Sequence, residues 1–518
     1  KNWIEKITKI LYKPLKIEFP WKEASIFGGG AVVGSISCIL LVISSFEVPD
    51  TELKRSLELF TEVVMDIDES YVDEVNTSEL IESALKSMLK NLDPYTEFEN
   101  KEDSKDLQEA VSGRYGGVGL VISDSSKIVP KELQNSEFAR KGIQVVDAFE
   151  GYAFDAGMRP GDTLVSVGDV QIDGLTTEKV SNLLRGNPGT SVSVKFTRPG
   201  VNVGNNGEPL VQEVTLQRQL VKLNDIKLAC LLKPEEDKIG YIKLAGFSPS
   251  AGRELEGKLK ALQILTPKGL NGLIIDLRGN PGGLLDSAVE VAANLVPQGS
   301  QLVSTKGRAF NDVSYFSDSA PVRNMDVPLA ILTDSNSASA AEIVSGAVQD
   351  LDAGVIVGIG KGMTYGKGLV QNIRDLPNDS SLKYTVAKYY TPSGRCIQSV
   401  EYKAPSKEFD SKGINNAEEN NVKMKGLGSS KYSARHVDEK DRKIFFTKNG
   451  RVVRDGGGIE ADLSTPLVKS SSLEIALYVQ NAFFDYASDW ASKHEFKGIG
   501  DIDIENELKN FKKFVEAK

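Results

Sequence analysis

The stretch VPLAILTDSNSASAAEIVSGAVQDL, residues 327–351, reads as a buried strand that passes through a short polar turn into a helix. Helix N-termini carry unpaired N–H groups and the positive end of the helix dipole, so this turn suits an anion. Ser339 stands where the helix begins. It is either a nucleophile or the first residue of a capping box with Glu342, and on this segment alone the capping role is the simpler interpretation.

Strands and helices alternate on both sides of this stretch. The strand segments KIGYIKLAGF, GLIIDL and GVIVGIG are separated by helical segments such as ELEGKLKALQIL and GLLDSAVEVAANL. This alternation predicts an α/β core. Further upstream, residues 51–98 show helical periodicity, while short β runs with glycines between Gly113 and Arg198 predict a compact β-rich module.

Two glycine-rich turns could carry chemistry. In LRGNPGG, residues 277–283, the amide of Gly283 can point into a cleft, unless the stretch is only a tight turn. In GKGMTYGKGLVQ, residues 360–371, Lys367 precedes a buried strand. It is either a solvated lysine or a base whose pKa lies roughly 3 units below the usual value of about 10.4. Gly368 follows the lysine, which breaks the order of a phosphate loop.

The low numbers of histidine and cysteine and the negative net charge argue against histidine-based catalysis, disulfide or metal sites, and nucleic-acid binding. A Ser-His-Asp site would need His436 or His494, and both lie in charged segments outside the α/β core, so serine-lysine catalysis remains. Cys38, Cys230 and Cys396 are widely separated and indicate neither a disulfide framework nor a thiolate metal site. A net charge of −10 disfavours binding to nucleic acid.

An uncharged segment near the N-terminus, FGGGAVVGSISCILLVISSF at residues 27–46, predicts one membrane crossing, which needs about 20 residues. Six lysines and three glutamates precede it, whereas Glu47 and Asp50 follow it, so the bulk of the chain is predicted on the extracytoplasmic side. No A-x-A site follows the apolar stretch. We therefore favour an uncleaved anchor over a removed signal or a soluble helix.

The motifs SNSASAAEIVSGAVQD, YGKGLVQ, LRGNPGG and YYTPSGRCIQ, taken together, resemble those of the carboxyl-terminal processing peptidases, or tail-specific proteases, of serine peptidase family S41. The resemblance implies a crotonase-like, Clp-protease-like α/β core that works without a metal or cofactor. It also implies Ser339 as the nucleophile, Lys367 as the general base and Gln371 as the residue that orients the base. The backbone N–H groups of Gly283 and Ala340 would form the oxyanion hole.

The same resemblance identifies the β-rich module as a PDZ domain, which would bind the free C-terminus of a polypeptide substrate by strand addition. Arg185, in LLRGNPGT, corresponds to an arginine that links the PDZ domain to the active site in related enzymes, or it is a helix C-terminal cation. The implied carboxylate-binding loop consists of Gly116, Gly117, Val118, Gly119 and Leu120.

Two stretches depart from the family pattern, and a third interrupts it. The segment between Gly358 and Lys367 is longer than usual, and the G-I-x-P-D motif appears as GIEAD, with Ala461 in place of proline. A polar insertion rich in Lys, Glu, Asn and Ser occupies residues 404–445.

The combined prediction is a membrane-anchored serine endopeptidase that cleaves proteins near their C-terminus, in a thylakoid lumen or a bacterial periplasm, with no nucleic-acid partner. The alternatives are a catalytically silent PDZ scaffold on the same fold and an acyl-CoA enzyme of the crotonase type. The predicted domains are an N-terminal segment (1–50), a helical region (51–112), a PDZ domain (113–200), an S41-type protease core (201–470) and a helical tail (471–518).

Overall fold

A computed structural model describes residues 52–124, 142–198, 210–232, 238–309, 311–360, 362–403, 433–437, 439–466, 471–479, 482–494 and 502–516. The predicted anchor at 27–46 and residues 404–432 of the predicted insertion lie outside these ranges. Within them, no helix combines the length and the apolar character that a membrane span needs. The chain divides into two compact units, residues 1–83 and 84–518.

The described part of the first unit is helical. It contains helix α1 (Glu52–Ser70) and the start of helix α2 (Thr77–Leu89), which continues into the second unit. Both helices lie where apolar residues recur at three- and four-residue spacing. The side chain of Thr77 donates a hydrogen bond to Asp68 across the connection between them.

A short strand and a helix precede the β-rich module in the second unit. Strand β1 (Glu97–Glu99) is followed by helix α3 (Lys101–Ser112). Asn100 caps this helix, because its side chain accepts the N–H groups of Glu102 and Asp103, both at 3.0 Å. The helix ends at Gly113, whose φ of 65° lies in the left-handed region that suits glycine.

The β-rich module is a six-stranded antiparallel sheet with one helix, α4 (Thr177–Leu184), packed on it. The sheet has the order β3-β4-β5-β7-β8, and β6 pairs with β5. The sheet of this module extends past residue 200, the predicted end of the PDZ domain, because β8 pairs with β7 along its whole length. The strands of this region are β2 (Arg114–Gly117), β3 (Leu120–Asp124), β4 (Ile143–Ala148), β5 (Thr163–Val167), β6 (Val170–Gln171), β7 (Ser191–Thr197) and β8 (Val211–Gln217).

Strand β9 (Gln219–Lys222) pairs with β2 and leads into a central six-stranded sheet. The sheet has the order β10-β11-β12-β15-β16-β23, and all its strands except β10 are parallel. Its strands are β10 (Ile226–Leu232), β11 (Ile239–Leu244), β12 (Gly272–Asp276), β15 (Leu329–Thr333), β16 (Val355–Ile359) and β23 (Leu463–Thr465). The crossover helices are α5 (Ala251–Leu265), α6 (Leu285–Ala293) and α7 (Ala340–Asp350).

This arrangement confirms the predicted α/β class, because parallel neighbours require crossover connections, which the helices supply. Strands β12 and β15 are neighbours in parallel register, so the turns that follow them meet at one edge of the sheet. These turns are LRGNPGG and TDSNSAS. The core between sheet and helices is fully buried at Ile242, Leu255, Ile275, Ile331 and Val344, and each such side chain contributes about 1.5–3 kcal/mol by leaving water.

A second, antiparallel sheet lies beside the α/β core and carries the segment after Lys367. It has the order β1-β18-β13-β14, and β17 also pairs with β18. Strand β1, which precedes the PDZ-like module in the sequence, therefore pairs with a strand that follows it. Its further strands are β13 (Gln301–Lys306), β14 (Val313–Phe316), β17 (Leu369–Asp375) and β18 (Ser381–Tyr390).

The end of the predicted polar insertion is structured. Strand β19 (Val400–Lys403) pairs with β20 (Ser433–His436), and β21 (Ile444–Phe446) pairs with β22 (Val452–Arg454). Residues 433–436 and 444–445 of the predicted insertion therefore lie in strands, because each finds a partner strand outside the insertion. The tail contains helices α8 (Ser472–Val479), α9 (Ala482–Lys493) and α10 (Ile504–Glu516).

A buried ion pair fixes the C-terminal end of helix α7. Arg395 Nη2 lies 2.7 Å from Asp350 Oδ1, and both side chains are fully buried. The same nitrogen also donates to Gln349 Oε1 at 2.7 Å. Removing one partner of such a pair typically costs about 3–5 kcal/mol, so the helix that begins after Ser339 is held firmly in place.

Candidate active site

Ser339 lies at the sharp turn between strand β15 and helix α7. Its backbone has φ 55° and ψ −115°, a strained conformation for a residue with a Cβ, at a cost of about 1–3 kcal/mol. Asp334 fixes the turn by accepting the N–H groups of Asn336 and Ser337 at 3.0 and 3.1 Å. The Ser337 hydroxyl donates to the carbonyl of Leu277 at 2.8 Å, which joins this turn to the LRGNPGG turn.

A buried carboxylate joins the Ser339 turn to the Lys367 loop. Glu342 Oε2 accepts the N–H groups of Ser339 and Lys367, at 2.8 and 2.9 Å. Its Oε1 accepts the N–H of Gly366 and the hydroxyl of Thr364, both at 2.6 Å. Burial raises the pKa of Glu342, while the four donors favour its ionised form. The capping contact and the catalytic placement of Ser339 are therefore compatible.

Lys367 is half-buried, and its amine reaches Gln371 on the following strand. Nζ donates to Gln371 Oε1 at 3.3 Å and lies 4.5 Å from the centroid of the Tyr95 ring. Within the described residues, no hydrogen bond joins this amine to the Ser339 hydroxyl. From the other side, the Tyr389 hydroxyl donates to the carbonyl groups of Lys367 and Ser339, the latter at 3.1 Å.

The surroundings of Lys367 favour its neutral form. Burial lowers the pKa of this amine, and the positive charge of Lys383 lowers the pKa further. Lys383 lies on β18 and pairs with Glu97 of β1 at 2.5 Å. Three carboxylates oppose this decrease in the Lys367 pKa: Glu342, Glu97 and Asp93.

Two backbone donors lie next to the serine. Gly282 approaches so closely that a Cβ on it would lie 2.8 Å from the Ser339 Cβ and 3.0 Å from the Ala340 nitrogen. The N–H of Gly282 is engaged by Asn280 Oδ1 at 2.8 Å. In contrast, the N–H groups of Gly283 and Ala340 donate no hydrogen bond within the described part of the chain. Two such donors can stabilise an oxyanion.

One cavity of about 410 Å³ contains the predicted catalytic residues. Ser339, Lys367, Gln371 and Gly283 all line it, so the structure brings together groups from three separate motifs. Most of the other lining residues are apolar: Leu107, Ala110 and Val111 of α3, with Leu223, Phe247, Pro281, Leu284, Leu285, Ile343, Leu369, Val370 and Ile373. This composition suits a polypeptide with apolar side chains.

The two departures from the family pattern contact each other. In the long loop before Lys367, the carbonyl of Gly362 accepts the N–H of Ala461 at 2.7 Å. Next to this bond, Met363 and Glu460 form an isolated β-bridge. A proline at position 461 would have no N–H to donate. The hydrogen bond that holds the longer loop therefore requires a residue other than proline at this position.

Sequence reasoning missed Tyr95 and Lys383, and it assigned Glu342 only a capping role. Tyr95 and Lys383 belong to no recognisable motif, whereas the S-x-x-E spacing was the available signal for Glu342. His494 does not line the cavity: it stacks on Trp490 with ring centroids 4.6 Å apart. Among the described residues, no cluster of His, Cys, Asp and Glu is arranged to hold a metal ion.

The chain is similar in sequence to known proteins. Residues 238–404 match the model of peptidase family S41, and residues 150–198 match a PDZ domain. The carboxy-terminal-processing protease of Bartonella bacilliformis is 31% identical over 376 residues, which cover 72% of this chain and 80% of the relative. The chain belongs to peptidase family S41. It is a serine-type peptidase of the carboxyl-terminal processing group with a PDZ domain.

A further relative and one solved structure are also similar to this S41 peptidase. The carboxyl-terminal-processing protease of Synechocystis is 32% identical over 320 residues, which cover 61% of this chain and 68% of the relative. Among solved structures, a photosystem II D1 C-terminal processing protease is 27% identical. The match covers 65% of this chain and 89% of that chain, with a TM-score of 0.35.

The predicted carboxylate-binding loop of the S41 peptidase lies between two strands. Gly116 and Gly117 end strand β2, and Leu120 begins β3. The N–H groups of Val118 and Gly119 donate no hydrogen bond within the described ranges. Adjacent unpaired amides of this kind can bind a carboxylate.

Arg185 of the S41 peptidase contacts helix α3. Its Nη1 lies 2.7 Å from Asp106 Oδ1 and 3.6 Å from Glu109 Oε2. Because Leu107 and Val111 of this helix line the active-site cavity, the arginine connects the PDZ domain to the cavity wall. The alternative role as a helix C-terminal cation is compatible with its position, since Arg185 follows the last residue of α4.

Proposed function

We propose that this S41 peptidase cleaves polypeptides near their C-terminus through a Ser339–Lys367 dyad, while its PDZ domain holds the free carboxyl end. The observation that carries this proposal is that Ser339 and Lys367 line one cavity, beside the N–H groups of Gly283 and Ala340, which are unpaired within the described ranges. A lysine with a lowered pKa can act as the base in place of a histidine.

The reaction begins when the neutral Lys367 amine moves from Gln371 towards the Ser339 hydroxyl. Lys367 accepts the hydroxyl proton while Oγ forms a bond to the scissile carbonyl carbon, and the C=O π electrons move onto oxygen. The N–H groups of Gly283 and Ala340 stabilise this oxyanion. The oxyanion then collapses, the C–N bond breaks, and the Lys367 ammonium returns its proton to the leaving amine.

Water then hydrolyses the acyl-enzyme in a second, equivalent cycle. The Lys367 amine takes a proton from water while the hydroxide oxygen attacks the ester carbonyl. Collapse of this second oxyanion breaks the bond to Oγ, and the proton on Lys367 returns to Ser339. The new carboxyl end of the substrate is then free to leave.

The substrate tail is held by strand addition in this proposal. Strand β3 lies at an edge of the PDZ sheet, so its outer side can pair with an extended peptide. A peptide paired with β3 can place its terminal carboxylate at the loop formed by residues 116–120. The unpaired N–H groups of Val118 and Gly119 support this placement.

We extend the proposal to fold and location. A crotonase-like, Clp-protease-like core is supported by the crossover helices and by the two functional turns at one sheet edge. Bacterial relatives and a chloroplastic peptidase of Arabidopsis thaliana support an extracytoplasmic bacterial or a plastid location. Membrane anchoring through residues 27–46 stays a prediction, which fractionation of the full chain tests.

The dyad is tested with Ser339→Ala and Lys367→Ala in the full chain. Each variant is expected to lose at least about 10⁴-fold in kcat, with an unchanged melting temperature. The exposed Ser335→Ala and Lys268→Ala are matched controls that keep full activity. An active Lys367→Ala would contradict the dyad. Failure of the wild type to cleave any peptide or to react with a fluorophosphonate would instead favour a silent scaffold.

The role of the PDZ domain is tested with two quenched fluorescent peptides that differ only at the C-terminus. One ends in a free carboxylate and the other in an amide. The amide peptide is expected to show a higher KM, because it lacks the charge that the amides of Val118 and Gly119 would bind. Equal KM values would contradict recognition of the free C-terminus.

A further inference from the structure

Residues 93–99 bring an aromatic ring next to the Lys367 amine, although they precede the PDZ domain in the sequence. They join the second sheet through strand β1, which pairs with β18 in a register that places Glu97 opposite Lys383. Tyr95 lies in this segment, and the centroid of its ring is 4.5 Å from the Lys367 Nζ. This distance is within the range of about 6 Å over which an aromatic face attracts a cation.

The backbone around Tyr95 is fixed by a compact set of hydrogen bonds. Asp93 Oδ1 accepts the N–H groups of Tyr95 and Thr96, both at 2.8 Å. The Thr96 hydroxyl donates to Asp93 Oδ2 at 2.9 Å and accepts the N–H of Thr385 at 3.2 Å. Since Asp93 and Thr96 are both buried, this turn anchors the backbone of Tyr95 to strand β18.

The charged groups around Lys367 come from four elements. Lys383 on β18 repels a positive charge, whereas the carboxylates attract one: Glu342 of α7, Glu97 of β1 and Asp93 in the preceding turn. Gln371 on β17 supplies a neutral acceptor. The Tyr95 ring differs from these groups because its face attracts an ammonium without carrying a charge of its own.

The protonation state of Lys367 changes during the proposed reaction. The amine is neutral before the attack and becomes an ammonium when it takes the proton of Ser339. Burial and Lys383 both disfavour this ammonium. The ring attracts the ammonium much more strongly than the neutral amine, so its contribution grows towards the transition state. Such a differential interaction lowers the barrier.

We propose that Tyr95 is a positioning residue for the base: its ring face holds the Lys367 amine in the cavity and stabilises the ammonium that forms during attack by Ser339. The inference rests on the proposed Ser339–Lys367 dyad. It assigns a catalytic contribution to a residue that lies outside the matched peptidase domain, residues 238–404.

The test varies the ring face while keeping its shape. Tyr95 is replaced in the full chain by phenylalanine and by pentafluorophenylalanine, whose fluorines withdraw the negative charge from the ring face. The dependence of kcat/KM on pH is measured with a quenched fluorescent peptide that has an apolar, free C-terminus. Melting temperatures of both variants are measured alongside, because nearly isosteric rings are expected to leave the fold unchanged.

Tyr95→Phe is expected to keep nearly the wild-type profile. The fluorinated variant is expected to lower the apparent pKa of the base by about 0.5–1 unit and to lower the high-pH plateau of kcat/KM by about 3–10-fold. The pKa falls because the ammonium loses an attractive partner. The plateau falls because losing this attraction raises the free energy of the transition state, which carries the ammonium, more than that of the ground state, in which the amine is neutral.

A different pattern would overturn the inference. If both variants share the wild-type pKa, Tyr95 has no electrostatic role, and a lower plateau alone would indicate only a structural one. The activity of Lys367→Ala shows whether only the role of Tyr95 is refuted or the Ser339–Lys367 dyad as well. An inactive Lys367→Ala with unchanged profiles for the two ring variants refutes only the role of Tyr95, whereas an active Lys367→Ala refutes the dyad itself.

Discussion

The backbone N–H groups of Ser339 and Lys367 donate to the same oxygen, Oε2 of Glu342, at 2.8 and 2.9 Å. One buried carboxylate oxygen therefore sets the spacing between the nucleophile turn and the base loop. The Tyr389 hydroxyl contacts the carbonyl groups of the same two residues. This double connection holds the two backbones in place.

Glu342→Gln is expected to damage both stability and catalysis. A glutamine has one oxygen where the carboxylate has two, so its NH₂ group would face two of the four donors. Leaving buried donors unpaired costs about 1–3 kcal/mol of unfolding free energy, and the displaced loops should reduce kcat by about 10²-fold or more. Urea unfolding and peptide cleavage measure the two effects.

Glu256→Gln on the surface of helix α5 is the matched control, because this glutamate forms an exposed ion pair with Lys260. Its effect should be below about 0.5 kcal/mol. A Glu342→Gln enzyme with wild-type kcat would show that the shared oxygen does not organise the site.

The pH dependence of cleavage should follow the Lys367 amine. Because burial and Lys383 lower its pKa, kcat/KM is expected to rise with pH and to level off below the ordinary lysine value of about 10.4. Lys383→Met removes a neighbouring positive charge, so the ammonium becomes more stable and the midpoint moves to higher pH. Activity at neutral pH should fall as a result.

Lys388→Met on the same strand controls for the loss of a charge, since this lysine is exposed and is not among the groups that shift the Lys367 pKa. Its profile should coincide with the wild type. A Lys383→Met midpoint at or below the wild-type value would contradict the electrostatic role assigned to Lys383.

Gly282→Ala should abolish cleavage by direct obstruction. The added Cβ would lie 2.8 Å from both the Ala338 carbonyl oxygen and the Ser339 Cβ, and φ at this position is 100°. The serine turn or the Gly283 amide must then move, and loss of one oxyanion donor alone costs about 10²–10³-fold in kcat. Gly257→Ala, which meets open space in helix α5, should keep full activity.

Ala461→Pro tests the contact between the two unusual stretches. Proline cannot donate to the Gly362 carbonyl, so the loop before Lys367 loses a 2.7 Å hydrogen bond. We expect kcat to fall by about 3–30-fold, because about 1–2 kcal/mol of loop stabilisation is lost. Ala461→Ser keeps the N–H and should behave as the wild type; equal losses in both variants would contradict this explanation.

Local patterns in the sequence predicted most of the elements around the site. The strand, turn and helix of residues 327–351 follow from an apolar run, a polar break and small residues with helical spacing. The predicted PDZ domain ends at residue 200, whereas strand β8 lies beyond it and pairs with β7 of the same sheet. Membership of a sheet depends on packing and on pairing with neighbouring strands, which a local pattern does not contain.

The sequence by itself determined the family and predicted the serine and lysine motifs, since these depend on residue types and their order. Only the tertiary structure decided what surrounds the Lys367 amine. Lys383 and Glu97 are 286 residues apart, yet they meet beside it. Proton affinity depends on distances to charges and on burial, and the folded chain alone fixes those distances.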